Sequence, residues 1–92
     1  MSKVKEEIIK FKEERGWGSA HKPLNLAISI SLESAELLEH FQWGDEVNYD
    51  EVKDELADVL IYCHYLADAL GVEVDDIILN KLKKQALKYP VK

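Results

Sequence analysis

Four carboxylates lie at spacings that could bring them into one site. Glu33 and Glu36 belong to one apolar stretch of the chain, and Glu55 and Asp58 belong to the next. A separation of three residues puts both acids of a pair on one face of a helix. Acids that converge from facing helices repel each other unless divalent cations neutralise them. Because oxygen ligands favour hard cations, the pattern predicts a Mg²⁺ or Mn²⁺ site that substrate phosphates would complete.

Two other interpretations of these acids compete with a magnesium site. On spacing alone, the acids could form a solvated helix edge held by intrahelical ion pairs. A di-iron bundle would need Glu-x-x-His pairs, and the sequence contains none. His40 follows Glu36 by four residues and His64 follows Asp58 by six, so neither histidine has the required spacing of three. The chain also lacks a His-x-x-x-His or Cys-x-x-Cys zinc pattern and a glycine-rich phosphate loop.

The spacing of apolar residues predicts four helices and no strand. The expected helices run over about Val4–Arg15, over Leu24 to about Trp43, from the capping pair Asn48 and Glu51 to about Leu70, and over about Val74–Tyr89. Gly16, Gly44 and Gly71 stand where the first three would end. The predicted core stripe of the third helix consists of Val52, Leu56, Val59, Leu60, Cys63, Leu66 and Ala67.

The second predicted helix is apolar nearly all round its axis. One side carries Leu26, Ile30, Leu37 and Phe41, and much of the other carries Leu24, Ile28, Leu32, Ala35 and Leu38. Such a helix is expected to be buried on several sides, here by its own chain and by a partner subunit. The predicted fold is therefore all-α, a four-helix bundle in which residues 1–92 form one domain that oligomerisation completes.

Composition excludes several classes of function. The formal net charge of -6 disfavours nucleic-acid binding, which depends on attraction to phosphates. Cys63 is the only cysteine, so an internal disulfide is impossible and a reducing cytoplasm is the expected location. The first seven residues lack the apolar core of a signal peptide, and no uncharged run approaches the roughly 20 residues that span a bilayer. We expect no nucleic acid and no membrane as partners.

Three further motifs, taken with the acid pairs, carry a resemblance to a known family. The motifs are His21-Lys22-Pro23-Leu24-Asn25-Leu26, Phe41-Gln42-Trp43 and Lys88-Tyr89-Pro90. In this order they resemble the MazG-like nucleoside triphosphate pyrophosphohydrolases, in particular the short branch that contains dCTP pyrophosphatases. The resemblance extends from about Phe11 to Pro90. It implies an all-α fold that assembles as a homodimer or as a homotetramer made of two dimers.

The resemblance also implies an activity and a set of site residues. The activity is Mg²⁺-dependent hydrolysis of a (deoxy)nucleoside triphosphate to the monophosphate and pyrophosphate, as a form of nucleotide-pool house-cleaning. Glu33, Glu36, Glu55 and Asp58 would be the catalytic, metal-binding residues. The residues implied to bind the nucleoside triphosphate are Trp17, His21, Trp43, Tyr62, Asn80, Lys81, Lys84, Gln85 and Lys88.

Each substrate-binding role has a structural alternative. Without the resemblance, the two tryptophans could simply seal the core, and His21 could satisfy backbone groups. The lysines near the C-terminus recur on one helical face, which is typical of a solvated side.

The short length and the apolar second helix also favour a function of another class. That function is a non-catalytic helical module that self-assembles and binds metal or nucleotide without turnover.

The chain departs from the family pattern at two places. Gln85 occupies a position on the last helix where the family has asparagine, so the reach of this side chain differs. Cytosine-preferring members are expected to carry a histidine on the first helix, whereas the first predicted helix contains none. The preferred base therefore does not follow from the resemblance.

Overall fold

The computed structural model describes residues 3–44 and 46–91, and their regular structure is entirely helical. The elements in chain order are α1 (Lys3–Glu14), a 3₁₀ turn (Trp17–Ala20), α2 (Pro23–Glu39), α3 (Tyr49–Ala69) and α4 (Val74–Lys88). The prediction of an all-α fold with four helices is confirmed. In this part of the chain, no helix combines the length and hydrophobicity that crossing a bilayer requires.

The α2–α3 pair is the main packing unit of the chain. Residues early in α2 meet residues late in α3, since Leu26 and Tyr65 line the same cavity. Farther along, Glu33 lies beside Glu55, and after α2 the His40 Nδ1 atom lies 3.8 Å from a carboxylate oxygen of Glu51. As the residue number increases along α2, the number of the facing residue on α3 decreases. The two helices are antiparallel, an arrangement that a short connection between helices favours.

The start and end of α3 are fixed by local hydrogen bonds. The Asn48 side chain accepts from the backbone N–H groups of Asp50 and Glu51 at 3.1 and 3.2 Å, which confirms the predicted N-cap. At the other end, Val72 N–H donates to the Ala67 carbonyl, a Schellman motif that needs left-handed backbone at the intervening glycine. Gly71 supplies it with φ 70°. These caps set the register of the acids on α3.

The predicted C-terminus of α2 was wrong by about four residues. The α-helix ends at Glu39 instead of near Trp43, and the chain continues in tighter turns to Gly44. In those turns the N–H groups of residues 40, 41, 42 and 44 bond three residues back. Apolar residues continue beyond Glu39 at helical spacing, but spacing cannot distinguish an α-helical turn from this tighter winding. Trp43 consequently lies on a turn.

Packing within the chain covers only one side of α2. The buried hydrophobic residues of the described chain are Leu26, Tyr65 and Ala67. Leu24, on the opposite side of α2, is 71% exposed, and Leu32 and Leu38 are also exposed. The chain was expected to bury one side of α2, and it does so where α2 packs against α3. The burial expected from a partner subunit stays a prediction.

The predicted core stripe of α3 needs a correction. Leu56 and Leu60 are about half exposed, whereas Tyr65, which the stripe omitted, is only 4% exposed. The reason is the position of α1, which packs against the Tyr65 side of α3 and leaves the Leu56 side open. A salt bridge of 2.7 Å between Lys12 and Asp68 fixes α1 there.

Candidate active site

Three of the four predicted carboxylates converge on one point. Glu33 of α2 and Glu55 and Asp58 of α3 each offer an oxygen, and these oxygens lie within 4.8 Å of one another. We call these three residues the acidic cluster. Glu36 stands one turn beyond Glu33 and carries a carboxylate close enough to Glu33 to affect its titration. The spacing of three residues on α3 and the antiparallel pairing of the helices bring the three clustered acids together, with Glu36 beside them.

The electrostatics of the cluster favour a bound cation. The pKa of Glu33 lies above its usual 4.5, first because Glu55 lies within hydrogen-bonding reach, and then because Glu33 is partly buried. Glu33 Oε2 and Glu55 Oε2 are both buried, and neither has a hydrogen-bond partner among the described residues. Ionised carboxylates are acceptors only, so they cannot satisfy each other. A hard divalent cation would satisfy both oxygens, and the donor set fits Mg²⁺ or Mn²⁺.

An aromatic cavity opens beside the acidic cluster. Its volume is about 420 Å³, and we call it the aromatic cavity. The residues that line it are Glu7, Ile8, Phe11, Trp17, Asp58, Ile61, Tyr62 and Tyr65. Asp58 belongs both to this lining and to the acidic cluster. A flat apolar ring held in the cavity would therefore have its polar substituents next to the carboxylates.

The walls of the aromatic cavity are held by ring contacts. Trp17 meets Phe11 edge to face with centroids 5.6 Å apart, and Tyr62 meets Tyr65 in the same way at 6.1 Å. The Arg15 guanidinium lies over Phe11, with its central carbon 3.4 Å from the ring centroid. Edge-to-face and cation–π contacts restrict the ring orientations. The 3₁₀ turn that carries Trp17 is thereby fixed against α1.

His21 lies behind this aromatic wall. It lines a second cavity of about 270 Å³ that shares Trp17, Tyr62 and Tyr65 with the first. Its ring centroid lies 4.5 Å from that of Tyr65, and its Nδ1 is buried without a hydrogen-bond partner among the described residues. Burial, and then the charge of Lys12, lower the pKa of His21 below 6.5. The imidazole is therefore neutral near pH 7, and its buried nitrogen can accept a hydrogen bond only if it carries no proton.

Trp43 lies at a separate, acidic cavity of about 490 Å³. The residues that line this cavity are Glu36, Glu39, His40, Gln42, Trp43, Glu46, Asn48, Glu51 and Glu55. The Trp43 side chain is 79% exposed, and Trp17 is not among the residues that line this acidic cavity. The acidic cluster thus lies between the two, because Asp58 faces the aromatic cavity and Glu55 faces the acidic one.

The remaining sequence-predicted residues lie on α4. They are Asn80, Lys81, Lys84, Gln85 and Lys88, and all are exposed. Every residue from Asp75 to Lys88 is exposed, including the apolar ones, and none of the cavities described above has a lining residue from α4. A single chain therefore does not bring α4 to the acidic cluster.

Comparison with known proteins agrees with this architecture. A family model described as the MazG-like family matches residues 28–92, which include most of α2 and all of α3 and α4. The chain belongs to the MazG-like family. A solved structure of a pyrophosphatase from Archaeoglobus fulgidus is 39% identical to this MazG-like chain, with a TM-score of 0.86. That alignment covers 94% of this chain and 88% of the other.

Curated relatives of this MazG-like protein include dCTP pyrophosphatase 1 of Mus musculus and of Bos taurus. The sequence identities are 32% and 34%, and each alignment covers 88% of this chain. Each covers only 54% of the relative. The chain thus spans about half the length of these curated relatives.

The sequence alone did not identify several residues that line the aromatic cavity. Ile8 and Phe11 lie three residues apart, on one face of α1, but their position at a cavity could not be inferred without the path of the 3₁₀ turn. Tyr65 follows Tyr62 by three residues, so helical spacing places the two rings on one face. That spacing was the signal that could have identified Tyr65. Glu7 offered no signal, because it follows another glutamate on an exposed helix.

Proposed function

We propose that this protein hydrolyses a (deoxy)nucleoside triphosphate to the monophosphate and pyrophosphate with Mg²⁺ as cofactor. The observation that carries the proposal is the junction at Asp58, where the acidic cluster meets the aromatic cavity. A nucleotide has the matching form, with a flat base at one end and phosphates at the other. The names of the relatives, dCTP pyrophosphatase and pyrophosphatase, support the same reaction class.

The acidic cluster is the proposed cation site. Glu33, Glu55 and Asp58 would hold Mg²⁺, which when bound neutralises phosphate charge and lowers the pKa of water. Glu36 lies beside the cluster without belonging to it. Its carboxylate is therefore placed to orient the attacking water and to take up a proton at one of its oxygens. The attack would occur in line at the α-phosphorus, with pyrophosphate leaving.

The aromatic cavity is the proposed base site. Trp17 and Tyr62 present ring surfaces on which a base can stack while water is excluded. The base then anchors the triphosphate so that its α-phosphorus lies near the acidic cluster, which is a contribution of orientation. His21 supports the wall from behind, through its contact with Tyr65. Trp43 is placed to contact the substrate from the side of the acidic cavity.

The exposed α4 is proposed to pack against a second copy of the chain in a homodimer or a homotetramer. Ile77, Ile78, Leu79 and Leu82 are about half exposed, and Leu87 is 86% exposed. A second copy would cover this surface and the open side of α2, which together amount to a large apolar area for a soluble monomer. It would also allow Lys81, Lys84 and Lys88, with Asn80 and Gln85, to reach phosphates at the other copy's cluster.

We expect light scattering to give a mass that is a multiple of the 10.6 kDa chain. Placing charges on α4 with Ile78→Glu and Leu82→Glu should shift the protein to monomer, because a buried unpaired charge opposes association. Lys83→Glu, an exposed change on the same helix, is the matched control and should leave the mass unchanged. A wild-type protein that stays at 10.6 kDa across micromolar concentrations would refute the proposed assembly.

A nucleotide panel tests the proposed reaction directly. Purified protein is incubated with Mg²⁺ and each of the common nucleoside triphosphates, and the products are separated by ion-exchange chromatography. We expect monophosphate and pyrophosphate in equal amounts, and no inorganic phosphate. Release of diphosphate and phosphate would place the cleavage at another bond. Calorimetric binding of Mg²⁺ and nucleotide without turnover of any panel member would instead select the non-catalytic module, which the exposed apolar faces of α2 and α4 favour.

A further inference from the structure

The aromatic cavity contains one carboxylate that does not belong to the acidic cluster. Its lining is mostly apolar or aromatic, and its two acids come from different helices. Asp58 of α3 is shared with the acidic cluster, so it belongs to the phosphate end of the site. Glu7 of α1 lies outside that cluster and beside Ile8 in the lining. The cavity thus has an acceptor of its own, supplied by the helix that closes it against α3.

The neighbouring polar groups do not supply the same selectivity. Tyr62 and Tyr65 carry hydroxyls that can donate or accept, so they suit either an amino group or a carbonyl. An ionised carboxylate only accepts hydrogen bonds. The Trp17 indole N–H can only donate, so it cannot bind a donor edge. Among the lining side chains outside the acidic cluster, Glu7 is therefore the one that only accepts, and it selects for a base edge that donates.

We propose that Glu7 recognises the exocyclic amino group of the base, so that the site prefers bases with such a group over uracil and thymine. This inference rests on the proposed function, because it takes the aromatic cavity as the base site. At position 4 of the pyrimidine ring, cytosine has an amino group that donates to a carboxylate. Uracil has a carbonyl oxygen there, which a carboxylate repels. A polar group left without its partner in the cavity weakens binding, and this penalty produces the discrimination.

The test compares dCTP and dUTP, whose bases differ in the group at position 4 and in the hydrogen that uracil carries on the adjacent N3. We expect wild-type protein to have the higher kcat/KM for dCTP. Glu7→Gln should reduce the ratio of the two values by about tenfold, because an amide can donate to the carbonyl as well as accept from the amino group. Glu6→Gln is the matched control, since Glu6 faces a different cavity, on the side of Asp68, and should leave the ratio unchanged.

A second measurement keeps the inference separate from the proposed reaction. Deoxycytidine and deoxyuridine carry no phosphate, and their binding can be followed by quenching of tryptophan fluorescence in metal-free protein. Tighter binding of deoxycytidine that Glu7→Gln removes would uphold the role of Glu7, even if no triphosphate were hydrolysed and the proposed function failed. If both triphosphates are hydrolysed and Glu7→Gln leaves the dCTP to dUTP ratio at its wild-type value, the inference is overturned while the proposed function stands.

Discussion

Replacing Asp58 by Asn is expected to lower kcat/KM for nucleoside triphosphate hydrolysis by roughly a thousandfold. Asp58 is the one residue shared by the acidic cluster and the aromatic cavity, so it lies where the base end and the phosphate end of a nucleotide meet. The substitution keeps the side-chain size and removes one negative charge from the proposed cation site. Fewer anionic ligands mean weaker cation binding and less stabilisation of the charge that develops on the phosphates.

The measurement is steady-state pyrophosphate release at several Mg²⁺ concentrations, with circular dichroism to verify the helices. Asp54→Asn provides the matched control, because Asp54 precedes Asp58 by one turn of α3 and is exposed outside the cluster. We expect that variant to keep wild-type activity. Partial recovery of the Asp58 variant at high Mg²⁺ would agree with a ligand role. A fully active Asp58→Asn protein would remove the acidic cluster as the site of hydrolysis.

The existence of the helices and of the acid pairs could be predicted because both depend on local spacing. Asn48 and Gly71 fix the ends of α3 through hydrogen bonds within a few residues, and such bonds follow from residue type. The convergence of Glu33 with Glu55 required only an antiparallel pair joined by a short connection. Local rules were sufficient for this half of the site.

The other half of the site depends on contacts that are distant in sequence. The aromatic cavity forms because the 3₁₀ turn places Trp17 against Phe11 and because α1 covers Tyr65. Neither arrangement has a spacing signature. Similarly, the amphipathic pattern of α4 indicates that it needs a partner but not which surface supplies one. The predicted end of α2 was too late because apolar residues continue after Glu39 at helical spacing. Hydrophobic periodicity does not reveal how tightly the backbone winds.

Mg²⁺ should stabilise the folded protein, and Glu33→Gln should remove that effect. A ligand that binds only the folded state at 100 times its Kd adds about 2.7 kcal/mol to the free energy of unfolding. Without metal, the same substitution is expected to stabilise the protein by about 1 kcal/mol, since two like charges about 4 Å apart repel by that much even in water. One variant thus changes stability in opposite directions with and without the ion.

Glu33 should make the free energy of unfolding of the metal-free protein decrease as the pH rises. Its pKa in the folded state is raised, chiefly by Glu55, so the folded protein binds more protons than the unfolded chain just above pH 4.5. The contribution of Glu33 to the stability of the fold is therefore present below pH 4.5, and it is lost as the pH rises through the pKa of Glu33 in the folded state. Glu33→Gln should flatten this part of the profile.

Thermal unfolding at one protein concentration, with EDTA or with excess Mg²⁺, measures both effects. Glu39→Gln removes a charge from the same helix outside the acidic cluster, so it should keep the full response to Mg²⁺. An equal stabilisation of wild type and Glu33→Gln by Mg²⁺ would show that the ion binds elsewhere. Loss of the response together with higher stability in EDTA is the pair of results that ligand geometry predicts. A folding defect cannot mimic this pair, because it would lower stability under both conditions.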